Sequence, residues 1–197
     1  MVFVSSDYAA TPPADVPVVA VKMLVAGGFG VGKTTMVASV SEIAPLRTEE
    51  LISELSSGVD DLTGIERKST TTVAMDFGRI TINRHLVLYL FGTPGQDRFW
   101  FMWNELSAGA IGAVVLADTR RLENCFAAVD FFERRAIPFV IAVNCFDGAQ
   151  HYTVDEVRQA TDVDTNIPIV LCDVRNRESS KEVLIQLTEH VLAQTAG

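Results

Sequence analysis

The chain alternates between short apolar runs, rich in β-branched residues, and longer, more polar stretches. The apolar runs are VPVVAVKMLVAGG, TTVAMDFGRITI, HLVLYLFG, IGAVVLAD, IPFVIAVN and IPIVLCDV. Continuous apolar strands separated by helical segments are typical of a mainly parallel sheet that helices cover on both faces. The second and third runs are an exception, because the two residues between Ile82 and His85 allow only a tight reversal. The pattern therefore predicts a six-stranded α/β fold with one antiparallel hairpin.

Five helices are predicted between or after these strands. The clearest is the last, in which Val183, Leu184, Leu187 and Val191 recur at helical spacing among Lys, Glu and Gln residues. A threonine N-cap predicts another helix that begins at Thr153. The predicted spans are 32–43, 97–106, 121–135, 153–160 and 177–194.

Length and composition favour one ordinary domain. The chain has 197 residues, of which 48% are hydrophobic, and this is enough to fill a sizeable core. Residues 1–17 carry several prolines and many small or polar residues, which predicts a flexible N-terminal arm. Residues 18–197 are then expected to form the domain, with a long connecting segment at 45–69.

Charge and cysteine usage limit the classes of partner. The 16 basic and 25 acidic residues give a net charge of -9, which disfavours nucleic acid and anionic membranes. No stretch approaches the roughly 18 apolar residues of a membrane helix. Cys125, Cys145 and Cys172 each lie in or beside an apolar segment without metal-like spacing, so we expect buried, reduced thiols. We therefore expect a cytoplasmic protein with no integral membrane segment.

The sequence GGFGVGKTT follows an apolar strand, precedes a predicted helix and fits the phosphate-loop pattern G-x-x-x-x-G-K-[ST]. The backbone amides of such a loop converge on phosphate oxygens, and the helix N-terminus adds positive potential. Lys33 would contact the β- and γ-phosphates, and the Thr34 hydroxyl would bind Mg²⁺. The residues expected to hold the phosphates are Gly27, Gly28, Phe29, Gly30, Val31, Gly32, Lys33, Thr34 and Thr35.

Five further motifs follow in the order found in Ras-like small GTPases, which the chain resembles from about Val18 to Ala193. TVAMDFGRITI resembles the effector strand after switch one, and LYLFGTPGQDRFW resembles the switch-two motif. VVLADTR matches the strand after switch two, VNCFD takes the place of N-K-x-D, and CDVR takes the place of S-A-K. The resemblance implies a P-loop NTPase with a Ras-like G domain, which binds GTP or GDP with Mg²⁺ and slowly hydrolyses GTP.

The same resemblance assigns roles to residues in the switches. Thr72 is the candidate for the switch-one ligand of Mg²⁺, and the adjacent Thr70 and Thr71 leave its register open. Gly95 would donate its amide to the γ-phosphate, and Gln96 would orient the attacking water. A Thr run that simply begins an exposed strand is the alternative for switch one.

Base recognition is expected beyond the strand IPFVIAV, at the edge where such sheets bind ligands. The Asp147 carboxylate can accept from the ring N–H and the exocyclic amine of guanine, a donor pair that adenine lacks, so Asp147 favours GTP over ATP. Asn144 precedes it. Cys145 replaces the lysine of the family, and this replacement predicts weaker binding of the base. Three residues stand in place of S-A-K, the middle one acting through its backbone amide: Asp173, Val174 and Arg175.

Gly92 departs from the family, because the switch-two motif carries there an aspartate that holds Mg²⁺ through water. The metal would then depend on Thr34, Thr72, phosphates and water, or on a carboxylate elsewhere, and we expect weaker Mg²⁺ binding. With TPGQ, this departure resembles the MglA-like bacterial branch, most closely the small GTPases encoded in conservon operons. That resemblance implies a signalling switch with a roadblock-type regulator and a sensor-kinase-like partner, and peripheral membrane recruitment through a partner.

Two surface features are candidates for a role beyond nucleotide binding. Arg47 and Arg67 lie in the long segment, so either is a candidate for an intrinsic arginine finger, with a solvated surface role as the alternative. The stretch DRFWFMW places five large apolar residues in succession beside switch two. A helix buries only one face, so we expect some of them to be exposed to a protein partner.

Two other functions remain open. A catalytically inert pseudo-GTPase that acts as an interaction module is favoured by Gly92 and Cys145, whereas Lys33, Thr34 and Gln96 favour an active switch. A small P-loop kinase would need an Arg-rich lid and an acceptor site, which the sequence does not offer.

Overall fold

The computed structural model describes residues 17–44, 46–53, 70–95 and 100–195. The strands are β1 Val19–Gly27, β2 Leu46–Ser53, β3 Thr70–Asn83, β4 Leu86–Gly92, β5 Gly112–Ala117, β6 Phe139–Asn144 and β7 Ile169–Cys172. The helices are α1 Lys33–Val40, α2 Trp100–Ser107, α3 Phe126–Arg134, α4 Val154–Thr161 and α5 Arg177–Thr195, and a 3₁₀ turn at Leu122–Cys125 precedes α3.

The strands form one sheet in the order β2-β3-β4-β1-β5-β6-β7. β1 pairs in parallel with β4 and β5, and β6 pairs in parallel with β5 and β7. β3 and β4 are antiparallel and are joined by the tight turn at Arg84 and His85. The predicted α/β fold, its mainly parallel sheet and its hairpin are confirmed, and each of the six predicted strands is present.

A seventh strand, β2, was not predicted. It lies within the segment 45–69 that we interpreted as a connection, and it pairs antiparallel with β3 from Leu46↔Phe77 to Ser53↔Thr70. The sheet therefore has two antiparallel pairs rather than one. The sequence LRTEELIS lacks an apolar run because β2 is an edge strand, which does not need to bury both faces.

Apolar layers on both faces of the sheet explain the continuous apolar runs. All six residues of β5 and all six of β6 are buried, as expected for inner parallel strands. On one face α1 and α5 contribute the buried side chains of Met36, Val37 and Leu187. On the other face Trp103 and Phe132 pack with Ile141 of β6.

The five predicted helices are present with shifted ends. The third is divided, because the 3₁₀ turn takes its first residues. The predicted Thr153 cap is confirmed as a capping box, in which its hydroxyl accepts from the Glu156 N–H and its own N–H donates to the Glu156 carboxylate. Within the described ranges, no helix combines the length and apolar character that crossing a bilayer requires.

The cysteines match the expectation in part. All three are free thiols, and burial raises the pKa of Cys125 and of Cys172 to about 12. Cys145 is only half-buried, which corrects the expectation that all three are buried. The reason is its position just past the end of β6, outside the layers that cover the sheet.

Candidate nucleotide-binding site

The phosphate loop connects β1 to α1 between Gly27 and Lys33. Gly27, Gly30 and Gly32 have φ angles of 132°, 74° and 110°, a region that favours glycine because it carries no Cβ. Gly32 is the N-cap of α1 in a left-handed conformation. The predicted loop between a strand and a helix N-terminus is therefore present, in the arrangement that binds phosphate groups.

Lys33 is buried at the base of this loop. Its ammonium donates to the carbonyl oxygens of Gly27 at 2.9 Å and Gly28 at 2.7 Å. Burial lowers the pKa of Lys33 to about 8, and the negative charge of Asp76 opposes that shift. The side chain is thus held where a phosphate group would restore its charged form.

Asp76 places a buried carboxylate beside the phosphate loop. It lies on β3, is 8% exposed, and accepts a hydrogen bond from the Thr34 hydroxyl at 2.5 Å. The β3–β4 register sets Asp76 directly opposite Gly92. A Cβ built on Gly92 would lie 3.0 Å from the Asp76 Cβ and 3.1 Å from its Oδ2. The Asp76 side chain therefore occupies the space beside the position where the family carries an aspartate.

The chain beyond β4 closes over the phosphate loop. A Cβ built on Gly95 would lie 2.5 Å from the Lys33 ammonium nitrogen, so this approach requires glycine. The Thr93 N–H donates to the Val25 carbonyl at 2.9 Å, and Trp103 donates its ring N–H to the Pro94 carbonyl at 3.1 Å. These contacts fix the start of the predicted switch two beside the loop.

These elements border a cleft of about 350 Å³ that is open to solvent. Thr34 and Asp76 present oxygen atoms there, and the buried Thr93 hydroxyl has no hydrogen-bond partner among the described residues. Hydroxyl and carboxylate oxygens are the ligands that Mg²⁺ prefers, so this set of residues fits a magnesium ion beside a phosphate group. The cleft is lined by Phe29, Gly30, Gly32, Lys33, Thr34, Thr35, Asp76, Thr93, Pro94 and Gly95.

Asn144 connects the phosphate loop to the predicted base site. It is buried at the end of β6, donates its side-chain N–H to the Val31 carbonyl at 3.0 Å, and accepts from the Val174 N–H at 3.3 Å. The backbone N–H of Val174 was predicted to contact the base. In this structure it donates to the side chain of Asn144. Cys145 follows at the same edge, where its N–H donates to the Cys172 carbonyl at 2.7 Å.

Asp147 is exposed and paired with Arg175. The two guanidinium nitrogens of Arg175 donate to its two carboxylate oxygens at 2.6 Å and 3.0 Å. Arg175 also donates to Asp173 at 2.9 Å. These hydrogen bonds lower the pKa of Asp147 and the pKa of Asp173. Arg175 therefore bridges two carboxylates that would otherwise repel each other.

The predicted switch residues are described in part or not at all. Gln96 and Arg67 lie outside the described residues. Thr72 is within β3 with its Cα opposite Leu51, and Arg47 is within β2 with its Cα opposite Asp76. Their side chains are not among those described, so their roles remain predictions. Of the aromatic stretch, Met102 and Trp103 are buried, which assigns them to the core rather than to a partner surface.

A charged cluster that was not predicted from the sequence follows β5. Asp118 is 4% exposed and accepts from the side chain of Arg120, which lowers the pKa of Asp118. The Arg120 guanidinium stacks over the Phe146 ring at 3.8 Å, and Arg121 lies beside the phosphate loop. An acidic residue followed by two arginines at the carboxyl end of a predicted inner strand was the available signal.

Comparison with known proteins gives a family and a fold. Residues 25–194 match the family described as "Conserved hypothetical ATP binding protein". The chain is also 30% identical over 129 residues to "Uncharacterized protein MJ1339" of Methanocaldococcus jannaschii, a match that covers 64% of this chain and 71% of that protein. Neither description states a reaction.

Solved structures share the fold at low sequence identity. The G domain of the T. maritima FeoB iron transporter superposes with a TM-score of 0.61 and 19% identity, over 87% of this chain and 99% of that one. The cytosolic domain of the same transporter in a GDP form gives a TM-score of 0.62 and 18% identity, over 89% of this chain and 64% of that one. The chain thus belongs to the family of conserved hypothetical ATP binding proteins, as a P-loop nucleotide-binding domain with the fold of a G domain.

Proposed function

We propose that this protein is a GTP-binding signalling switch, which binds GTP or GDP with Mg²⁺, slowly hydrolyses GTP to GDP and phosphate, and changes partners as it does so. One observation carries the proposal: Asn144 links the phosphate loop to the segment predicted to contact the base. This residue bonds both to the phosphate loop and to the segment after β7, while Asp147 lies three residues further along the chain.

The choice of guanine rests on Asp147. Its carboxylate offers two acceptors at the predicted base edge, and guanine has the matching pair of donors. The family description mentions ATP, whereas the structural neighbours are the G domain of an iron transporter and the cytosolic domain of that transporter in a GDP form. We favour GTP because guanine can donate to both Asp147 oxygens in place of Arg175, whereas adenine lacks the matching pair of donors.

Magnesium would be held by Thr34 and by Asp76, with Thr72 as a further ligand if switch one closes. Because the Thr34 hydroxyl donates its proton to Asp76, a lone pair of the hydroxyl oxygen remains available to a metal. The carboxylate of Asp76 adds the negative charge that Gly92 cannot supply. A bound Mg²⁺ would neutralise the phosphate charge that develops during hydrolysis.

Hydrolysis needs few groups from the protein. Lys33 neutralises phosphate oxygens, the Gly95 amide senses the γ-phosphate, and Gln96 orients the attacking water. Loss of the γ-phosphate would release Gly95 from the loop and so change the surface beside α2. A roadblock-type regulator and a sensor-kinase-like protein, implied by the sequence resemblance, are the proposed readers of that change, in the cytoplasm.

An inert interaction module is the second candidate. Arg175 occupies both oxygens of the Asp147 carboxylate in this structure, so the base-recognition group is engaged within the protein itself. An inert module would keep this pair and would bind its partners in one fixed form.

One experiment separates the two candidates. The purified protein is denatured and its released nucleotide is identified by chromatography, after which the refilled protein is followed for phosphate release in single-turnover conditions. We expect bound GDP, slow conversion of added GTP, and no retained nucleotide in Lys33→Ala, with Lys181→Ala as a matched control at an exposed lysine. Absence of both nucleotide and turnover in the wild type would support the inert module.

A further inference from the structure

After β5, two consecutive arginines lie at different distances from the carboxylate of Asp118. Arg120 donates from Nε and Nη2 to the two oxygens of Asp118 at 2.8 Å each, and its backbone N–H donates to Oδ1 at 3.0 Å. Arg121 is more distant, with its Nη2 3.5 Å from Oδ2 of the same carboxylate. One negative charge therefore faces two positive charges, and Arg120 makes the shorter contacts.

Arg121 lies against the phosphate loop. A Cβ built on Gly30 would be 3.9 Å from Nη2 of Arg121, and a Cβ built on Gly28 would be 2.7 Å from the Cβ of Asn124. Two backbone hydrogen bonds hold this segment, from the Arg121 N–H to the Asp118 carbonyl at 2.9 Å and from the Asn124 N–H to the Arg121 carbonyl at 3.1 Å. The guanidinium is thus placed beside the loop by Asp118 and remains half-exposed to a ligand.

The position of Arg121 complements that of Lys33. Lys33 is buried under the loop and bonds to the carbonyls of Gly27 and Gly28, whereas Arg121 reaches the loop from the turn after β5. A nucleoside diphosphate or triphosphate brings several negative charges to this loop. A guanidinium can donate two parallel hydrogen bonds to phosphate oxygens, which an ammonium cannot do.

We propose that Arg121 is a phosphate-binding residue of the nucleotide site and that Asp118 is its positioning residue. The guanidinium pairs with phosphate oxygens of the bound nucleotide, and the buried carboxylate keeps it at the loop when the nucleotide leaves. This inference rests on the proposed function, because it assumes that the loop binds a nucleotide. Arg121 would be a positively charged residue of the nucleotide site in addition to the candidates Arg47 and Arg67.

The test compares Arg121→Ala and Arg121→Lys with a matched control, Arg134→Ala. Arg134 also pairs with an aspartate, Asp130, at 3.2 Å, but on the exposed face of α3. Dissociation constants are measured for GTP, GDP and guanosine at low and at high salt, with saturating Mg²⁺. We expect Arg121→Ala to weaken GTP and GDP binding at least tenfold at low salt and less at high salt, because salt screens the lost attraction. Guanosine binding should not change.

Further variants separate a phosphate contact of Arg121 from a purely structural role. Arg121→Lys should lose less affinity than Arg121→Ala, and Arg134→Ala should match the wild type. Asp118→Asn should weaken GTP binding, and it should add little in combination with Arg121→Ala, because both changes affect the same contact. If Arg121→Ala does not fold, Arg121→Gln replaces it, since it keeps most of the aliphatic stem.

The outcomes distinguish this inference from the proposed function. Unchanged GTP affinity in Arg121→Ala, with a wild type that binds GTP, would overturn the role of Arg121 alone. An equal loss for GTP and guanosine would also overturn it, because a purely structural residue would disturb both ligands. Failure of the wild type to bind any of the three ligands would instead refute the proposed function.

Discussion

Replacing Gly92 with aspartate would restore the residue that the switch-two motif carries, yet we expect it to damage this protein. The new Cβ would lie 3.0 Å from the Asp76 Cβ, so tight that the Asp76 side chain would have to move by a few tenths of an ångström. Such overpacking costs about 1–3 kcal/mol in a buried site. Two carboxylates about 4 Å apart would also repel each other by about 4 kcal/mol at an effective dielectric constant of 20.

Protonation of one carboxyl group would relieve part of that repulsion. We therefore expect Gly92→Asp to lower the free energy of unfolding by about 2–4 kcal/mol, which is a large part of the stability of a domain of this size. Urea denaturation of the nucleotide-free protein measures the loss. Asp76→Gly alone should cost less, about 1–2 kcal/mol, because it removes the Thr34 partner and places glycine in a strand.

The double variant Asp76→Gly with Gly92→Asp is the decisive measurement. It moves the carboxylate across the β3–β4 pair and removes the collision, so it should be more stable than Gly92→Asp by at least about 1 kcal/mol, a coupling typical of residues in contact. The rate of GDP release on chelation of Mg²⁺ should be fast in Asp76→Gly and slower again in the double variant. If the two stability losses add and the chelation response does not change, the two positions do not share one role.

Four further predictions concern the same site. Nucleotide affinity should fall about tenfold between pH 7 and pH 9, because Lys33 has a pKa of about 8 in the free protein and phosphate favours its charged form. A pH titration of GDP binding measures this, and Lys33→Arg should remove the dependence. In the same free protein, the unfolded state binds more protons between pH 8 and the ordinary lysine pKa of 10.5, so the free energy of unfolding should rise with pH across that window. Gly95→Ala should reduce single-turnover GTP hydrolysis, because its Cβ would lie 2.5 Å from the Lys33 ammonium nitrogen and 3.0 Å from the Gly28 carbonyl oxygen and would move switch two away from the loop. An unchanged rate would contradict the assigned approach of switch two. Asn144→Ala should destabilise the protein by about 2–4 kcal/mol in urea denaturation, because it leaves the Val31 carbonyl and the Val174 N–H without their partner, and a loss below about 1 kcal/mol would show that water replaces these bonds.

The sequence predicted those parts of the site whose residues are contiguous in the chain. The phosphate loop was predicted correctly because its glycines, Lys33 and Thr34 are contiguous and lie between a strand and a helix. The strand β2 was missed because an edge strand carries no apolar run. The contacts of Asp76 and Arg121 were missed for a different reason, because they join distant parts of the chain. Thr34 of α1 and Asp76 of β3 are 42 residues apart, and only the packing of α1 against β3 brings them together.

Gly92 and Asp76 are better understood as one feature than as two. Taken alone, Gly92 indicates a damaged metal site and favours the inert module. The antiparallel register places a buried carboxylate opposite it, and the glycine is the residue that leaves room for that carboxylate. A side chain at position 92 would crowd the Asp76 carboxylate, so an acid at one of these positions disfavours an acid at the other. The absence of the aspartate from switch two is therefore weak support for an inert protein, and the Mg²⁺ dependence of GDP release is the property on which the two functions differ.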